Sequence, residues 1–173
     1  MNNIQKIMDI MNQIEYGFLD DNGNNICDNI DFESTFNKVY YLMSPEELLN
    51  KKIGVCWDQV ELERYLFDKK NIKFNTYFIV YYSDNICPTH TFLIYKIDND
   101  YYWFEHSWEK YRGIRKYSSE NSALNDIKEK FINDELNNNY DDTNLFIFKY
   151  SKPRYGINLL EFYHHCENGE KVK

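Results

Sequence analysis

The chain has 173 residues, which is enough to bury one hydrophobic core and predicts a single domain over residues 1–173. Its formal net charge of -8 argues against nucleic acid and membrane as partners, because binding to polyanions depends on cationic side chains. No run approaches the ~18 consecutive apolar residues of a membrane-spanning helix, and the opening MNNIQK lacks the character of a secretory signal, so we expect a cytoplasmic protein.

The first half of the chain predicts three helices. Apolar residues at helical spacing predict an amphipathic helix over the first sixteen residues: Ile4, Ile7, Met8, Met11 and Ile14. A short second helix begins at Ser44 and Pro45, where serine can cap a helix and proline suits its first position, and it ends near Asn50. The third runs from Cys56 to Lys69, with acidic residues early and lysines at its end, as the helix dipole favours.

A sheet follows these helices. Segments dense in aromatic and branched residues predict four strands, at residues 74–82, 91–97, 101–108 and 144–150. A turn over residues 98–100 joins the second and third strands, so that residues whose numbers sum to about 197 face one another and His90 lies near residue 107. Two further helices are predicted around residues 122–133 and 157–166. The pattern predicts an α+β fold, with the helix at Cys56 packed on an antiparallel sheet and extra helices at both termini.

Cys56 is the first candidate site residue, because it stands at the predicted start of a helix. The positive end of the helix dipole and the unpaired backbone N–H groups there favour a thiolate and can hold an oxyanion. The alternative is a small buried apolar residue, which is the commoner state of a cysteine. Cys27, Cys87 and Cys166 are scattered without paired spacing, which is typical of reduced thiols.

His90 and Glu105 are the partners that a reactive thiol needs. A histidine that opens a strand can exchange a proton near neutral pH, and a carboxylate at its far nitrogen would orient the ring and stabilise the imidazolium. Glu105 follows His90 by 15 residues and is the candidate for that carboxylate, with Asp98, Asp100 or an asparagine amide as alternatives. The three residues together predict a thiol enzyme of the acyl-transfer kind that needs no cofactor.

Three segments resemble the transglutaminase-like superfamily, which has a papain-like fold: GVCW at 54–57, THTFLI at 89–94 and YWFEHS at 102–107. The resemblance covers residues 50–117 and implies one domain with its core motifs there and a helical segment over residues 1–50. It implies that Cys56 attacks an amide or thioester carbonyl, that His90 serves as base and then acid, and that Glu105 orients the ring, where the superfamily usually has aspartate. A peptide or protein substrate is implied, whose amide is hydrolysed or transamidated.

The same resemblance implies a second oxyanion donor from a side chain upstream of the cysteine, and Tyr40, Tyr41 and Asn50 are the candidates. Gln59 lies one turn after Cys56, where a side chain can point into the site, but we expect this glutamine on the helix surface. The sequence holds no indication of the oligomeric state.

Two other functions stay open. Glutamate at position 105 allows a binding module on the same fold that has lost activity. Zinc accepts a set of Cys56, His90 and Glu105 with water as the fourth ligand, which allows a zinc hydrolase or a structural zinc protein. A metal site at His164 and His165 is disfavoured, because adjacent residues of a helix point about a hundred degrees apart.

Overall fold

The structure is a computed structural model that describes residues 3–30, 32–84 and 87–173. Its helices are α1 (Asn3–Met11), α2 (Phe32–Val39), α3 (Pro45–Lys51), α4 (Cys56–Lys69), α5 (Glu120–Glu135) and α6 (Leu159–Glu167). Its strands are β1 (Glu15–Tyr16), β2 (Ile53–Gly54), β3 (Phe74–Tyr81), β4 (Thr89–Ile97), β5 (Asp100–Glu105), β6 (Gly113–Tyr117), β7 (Leu145–Tyr150) and β8 (Glu170–Lys171). Within these ranges no helix is long and apolar enough to cross a membrane.

The main sheet has six strands in the order β6-β5-β4-β3-β7-β8, and every neighbouring pair is antiparallel. The predicted α+β fold with an antiparallel sheet is therefore confirmed. The hairpin of β4 and β5 also has the predicted register, because Leu93 faces Phe104 and Ile94 faces Trp103. A separate two-stranded sheet joins β1 and β2 in parallel, with Tyr16 opposite Gly54.

Helices cover both faces of the main sheet, which explains why its strands read as continuous apolar runs. Side chains alternate between the faces: Phe92 joins the cluster that includes helix α5, whereas Leu93 joins the cluster that includes α1 and α4. Phe67 of α4 contacts Phe104 of β5 edge to face, with ring centroids 5.3 Å apart. These contacts lay α4 across β4 and β5, so the start of the helix lies near the start of β4.

The observed elements correct several predicted boundaries. Helix α1 ends at Met11 instead of residue 16, because the backbone N–H of Glu15 turns to the carbonyl of Lys52 and begins β1. Residues 1 and 2 of the predicted helix lie outside the described residues. Strand β5 ends at Glu105 instead of residue 108. Helix α2 and the strands β1, β2, β6 and β8 were not predicted.

Candidate active site

The start of helix α4 is held by a buried carboxylate. Asp58, in the first turn, accepts the backbone N–H of Val55 at 3.1 Å, the backbone N–H of Met43 at 3.0 Å and the hydroxyl of Tyr40 at 3.0 Å. Burial raises the pKa of Asp58 to about 7, against the effect of these three hydrogen bonds. Through Asp58 these hydrogen bonds connect Met43, which precedes α3, to Val55, which precedes Cys56. They therefore fix the position of the thiol.

Cys56 opens into a small cavity. The residue is 6% exposed, and the cavity has a volume of about 280 Å³. The backbone N–H groups of Cys56 and Trp57 have no acceptor within the helix, because they belong to its first turn. The cavity is lined by Tyr16, Cys56, Thr89, His90, Ser107, Trp108, Glu109 and Glu135.

His90 lies between a carboxylate and the thiol. Its Nε2 is 2.8 Å from Oε2 of Glu105, and its ring lines the same cavity as the side chain of Cys56. Because Nε2 is taken by Glu105, Nδ1 is the nitrogen left for the thiol. Burial favours the neutral ring, but the charge of Glu105 and the interactions with Cys56 and Glu105 outweigh it and raise the pKa of His90 to about 10.

Glu105 is held in place from its other side. Its Oε1 accepts the backbone N–H of Trp108 at 2.8 Å and the hydroxyl of Ser107 at 3.1 Å. Burial opposes ionisation, but the charge and hydrogen bond of His90 and these two donors lower the pKa of Glu105. The indole of Trp108 meets the His90 ring edge to face, with centroids 5.0 Å apart. The carboxylate and the ring therefore form a fixed, ionised pair.

The structure brings together the three residues singled out in the sequence, because His90 is bonded to Glu105 and lines one cavity with Cys56. A zinc site needs its donors to converge on one point, whereas here Nε2 of His90 is bonded to Glu105 and Glu105 does not line the cavity of Cys56. In the described part of the chain, no group of three or more His, Cys, Asp or Glu side chains is arranged to hold a metal ion. Asp100, an alternative partner for His90, instead pairs with Lys116 at 2.5 Å.

Comparison with known families identifies the family of the chain. A family model described as a transglutaminase-like domain matches residues 1–130. The chain belongs to the transglutaminase-like family. No curated protein matches the chain significantly. The family match includes the first fifty residues, which lie before the three segments that resemble the superfamily. It also contains Cys56, His90 and Glu105.

The three upstream residues considered as oxyanion donors do not line the cavity of this transglutaminase-like domain. Tyr40 donates to Asp58, Tyr41 donates to Glu47 at 2.7 Å, and Asn50 is exposed. Tyr16 lines the cavity instead, because the parallel pairing of β1 with β2 sets it opposite Gly54, two residues before Cys56. The sequence carried no signal for this pairing, since each strand is only two residues long.

Gln59 was expected on the helix surface, and this was wrong. The residue is 0% exposed, and its Nε2 donates to the carbonyl of Gly54 at 2.9 Å while its Oε1 is 2.7 Å from Nδ1 of His106. Since the amide nitrogen of Gln59 is committed to a carbonyl, Nδ1 of His106 carries the proton. Burial lowers the pKa of His106 to about 4, so this second histidine is neutral and serves as a structural support.

Glu63, one turn further along α4, is a buried carboxyl behind the site. It is 2% exposed, and its Oε2 has no hydrogen-bond partner among the described residues. Burial and the nearby charge of Glu105 raise its pKa well above the ordinary value. The unfolded chain ionises this group near pH 4.3, so its burial in neutral form costs stability as the pH rises above that value.

We expect Glu63→Gln to raise the free energy of unfolding by at least about 1 kcal/mol at pH 7.5 and to leave it nearly unchanged at pH 4, because glutamine has no proton to lose. Urea unfolding at the two pH values measures the difference. Glu61→Gln is the matched control on the same helix. Glu61 pairs with Arg64 at 2.8 Å, so its loss leaves a buried cation unpaired and should destabilise the protein at both pH values. An equal gain for Glu63→Gln at both pH values would contradict a protonated Glu63.

Proposed function

We propose that this protein is a cysteine-dependent acyl-transfer enzyme of the transglutaminase-like family, which hydrolyses or transamidates a peptide or side-chain amide. Cys56 is the nucleophile, His90 the base and then the acid, and Glu105 the group that orients and charges the ring. One observation supports the proposal: the imidazole of His90 is hydrogen-bonded to the buried carboxylate of Glu105, and the same imidazole lines an open cavity together with the thiol of Cys56.

The first half of the reaction forms a thioester. Cys56 and His90 start as a thiolate and imidazolium pair, and the thiolate attacks the carbonyl carbon while the C=O electron pair moves to oxygen. The resulting oxyanion lies at the start of α4, where the N–H of Cys56 can donate to it. The imidazolium of His90 then gives its proton to the leaving nitrogen, and the C–N bond breaks.

The second half releases the acyl group. Water or a second amine attacks the thioester carbonyl and loses its proton to His90, and the C–S bond breaks with the electron pair returning to sulfur. Tyr16 is the second oxyanion donor in this proposal. It is an upstream side chain that lines the cavity of Cys56, as the family pattern requires.

Glutamate can replace the usual aspartate because of its place in the hairpin. In the register of β4 and β5, His90 would face residue 107, so Glu105 is its diagonal neighbour on the same face. The longer side chain spans that diagonal and still reaches Nε2 at 2.8 Å. The substitution is therefore compatible with an active triad.

The proposal is tested by alkylation with iodoacetamide in a Cys27→Ser/Cys87→Ser background, which removes the half-buried and the exposed thiol. We expect Cys56 to react at pH 6, where ordinary thiols are protonated and react slowly, because the imidazolium of His90 stabilises the thiolate. Cys56→Ala should abolish the labelling seen by mass spectrometry. Cys166 is buried, and burial raises its pKa, so Cys166→Ser should leave the rate unchanged.

If Cys56 reacts no faster than a free cysteine at pH 6, the protein holds no activated nucleophile. That outcome would contradict the proposed enzymatic function and favour a binding module.

A further inference from the structure

The cavity at Cys56 is too small to bind more than the reacting group and its immediate neighbours. Its volume of about 280 Å³ lies below the range of ~300–1,000 Å³ that is usual for ligand pockets. The rest of a peptide substrate must therefore bind elsewhere on the surface, next to this cavity. Binding energy from such a remote site is what positions the reacting amide.

A larger cavity of about 620 Å³ adjoins it, which we call the aromatic groove. Thr89 lines both cavities, and its Oγ1 accepts the indole N–H of Trp57 at 3.2 Å. Trp57, the residue after Cys56, lies in the wall of the groove with Phe36 and Tyr163. The aromatic groove thus begins beside the thiol and has an apolar, aromatic wall.

The aromatic groove carries acidic side chains. Three carboxylates line it, those of Glu33, Asp84 and Glu167, and its described lining holds no lysine or arginine. Glu167 is engaged by the hydroxyl of Tyr82 and lies 3.5 Å from Nδ1 of His164. Glu33 and Asp84 form no ion pair with any described residue. The cavity at Cys56 adds the carboxylates of Glu109 and Glu135, which also disfavour an anionic substrate.

We propose that the aromatic groove binds a lysine or arginine side chain of the peptide substrate of Cys56. The methylene stem lies on the aromatic wall, as the stems of these residues do on apolar surfaces, and the charged end faces Glu33 and Asp84. An apolar side chain would use only the wall and would desolvate the carboxylates without compensation. This inference rests on the proposed function and names the substrate class of the same site.

The test uses three peptidyl vinyl sulfones that differ at one residue, which is lysine, norleucine or glutamate. We expect the lysine probe to modify Cys56 about tenfold faster than the norleucine probe, since two exposed carboxylates contribute together roughly a tenfold preference. The glutamate probe should be slower than both. The double variant Glu33→Gln/Asp84→Asn should bring the lysine and norleucine rates together while leaving the iodoacetamide rate unchanged.

A matched control removes two charges elsewhere. Asp9→Asn/Glu129→Gln alters two exposed carboxylates that do not line the aromatic groove, and it should keep the lysine preference. Equal lysine and norleucine rates in the wild type, with normal iodoacetamide reactivity, would overturn the groove proposal alone.

An unreactive Cys56 would instead overturn the proposed function. In that case, fluorescent peptides with the same three side chains are titrated onto Cys56→Ala. Their affinities test the groove proposal, because binding needs no reaction. A preference for the lysine peptide supports the groove, and equal affinities reject it.

Discussion

Replacement of His90 by glutamine should slow the reaction of Cys56 with a peptidyl electrophile by about a hundredfold to a thousandfold at pH 7, the usual contribution of a general acid and base. Glutamine can form hydrogen bonds to Cys56 and Glu105, but it has no positive charge to stabilise the thiolate and no proton to give to the leaving nitrogen. The rate is measured by mass spectrometry of the modified protein.

His165→Gln provides the control for this substitution. His165 is a half-buried histidine of α6 whose Nε2 is 2.8 Å from the carbonyl of Ser151, and it does not line the cavity of Cys56. The control should retain the full rate. A His90→Gln protein that also retained it would show that the thiol is not activated by the ring.

Glu105→Gln should also have a large effect, because it changes the pKa of His90. In the wild type the carboxylate raises the pKa of His90 to about 10, so the ring stays protonated over the neutral range. Glutamine removes that charge, whereas the burial that favours the neutral ring remains. We expect the pKa of His90 to fall by several units, and NMR titration of the ring measures the shift directly.

The same variant should change how stability depends on pH. His90 has a raised pKa, so its contribution to stability is complete below its unfolded pKa of ~6.5 and is lost as the pH rises through about 10. Glu105 has a lowered pKa, so its contribution is present above ~4.3 and is lost as the pH falls. Glu105→Gln removes both pH dependences, so the free energy of unfolding should vary less with pH.

Glu109→Gln is the control for both measurements, because Glu109 lines the same cavity but is exposed. It should leave the His90 titration nearly unchanged. An unshifted His90 pKa in Glu105→Gln would mean that the pair seen here does not control the ring.

The hairpin was the part of the site that sequence reasoning could predict best. A tight turn between two strands sets a register, and that register places Glu105 diagonal to His90. The position of Cys56 at a helix start was also predictable, since the residues before it break the helix and those after it carry the apolar stripe. These features are local, and local patterns are what a single sequence displays.

The features that could not be predicted depend on distant parts of the chain. Tyr16 reaches the cavity only through the pairing of β1 with β2, two strands of two residues each. The burial of Gln59 was not predicted, because α4 is enclosed by its neighbours and even Glu61 and Glu63 are buried. Charged and polar residues on a helix normally indicate a solvent face, and only the packed structure shows the exception.

The wall of the Cys56 cavity also has a consequence for synthesis of the protein. Its residues extend from Tyr16 to Glu135, so the ribosome must release most of the chain before the cavity can close. Until then Cys56 lacks its complete pocket. In the proposed mechanism, the thiol therefore becomes fully activated only after the chain has been synthesised through Glu135.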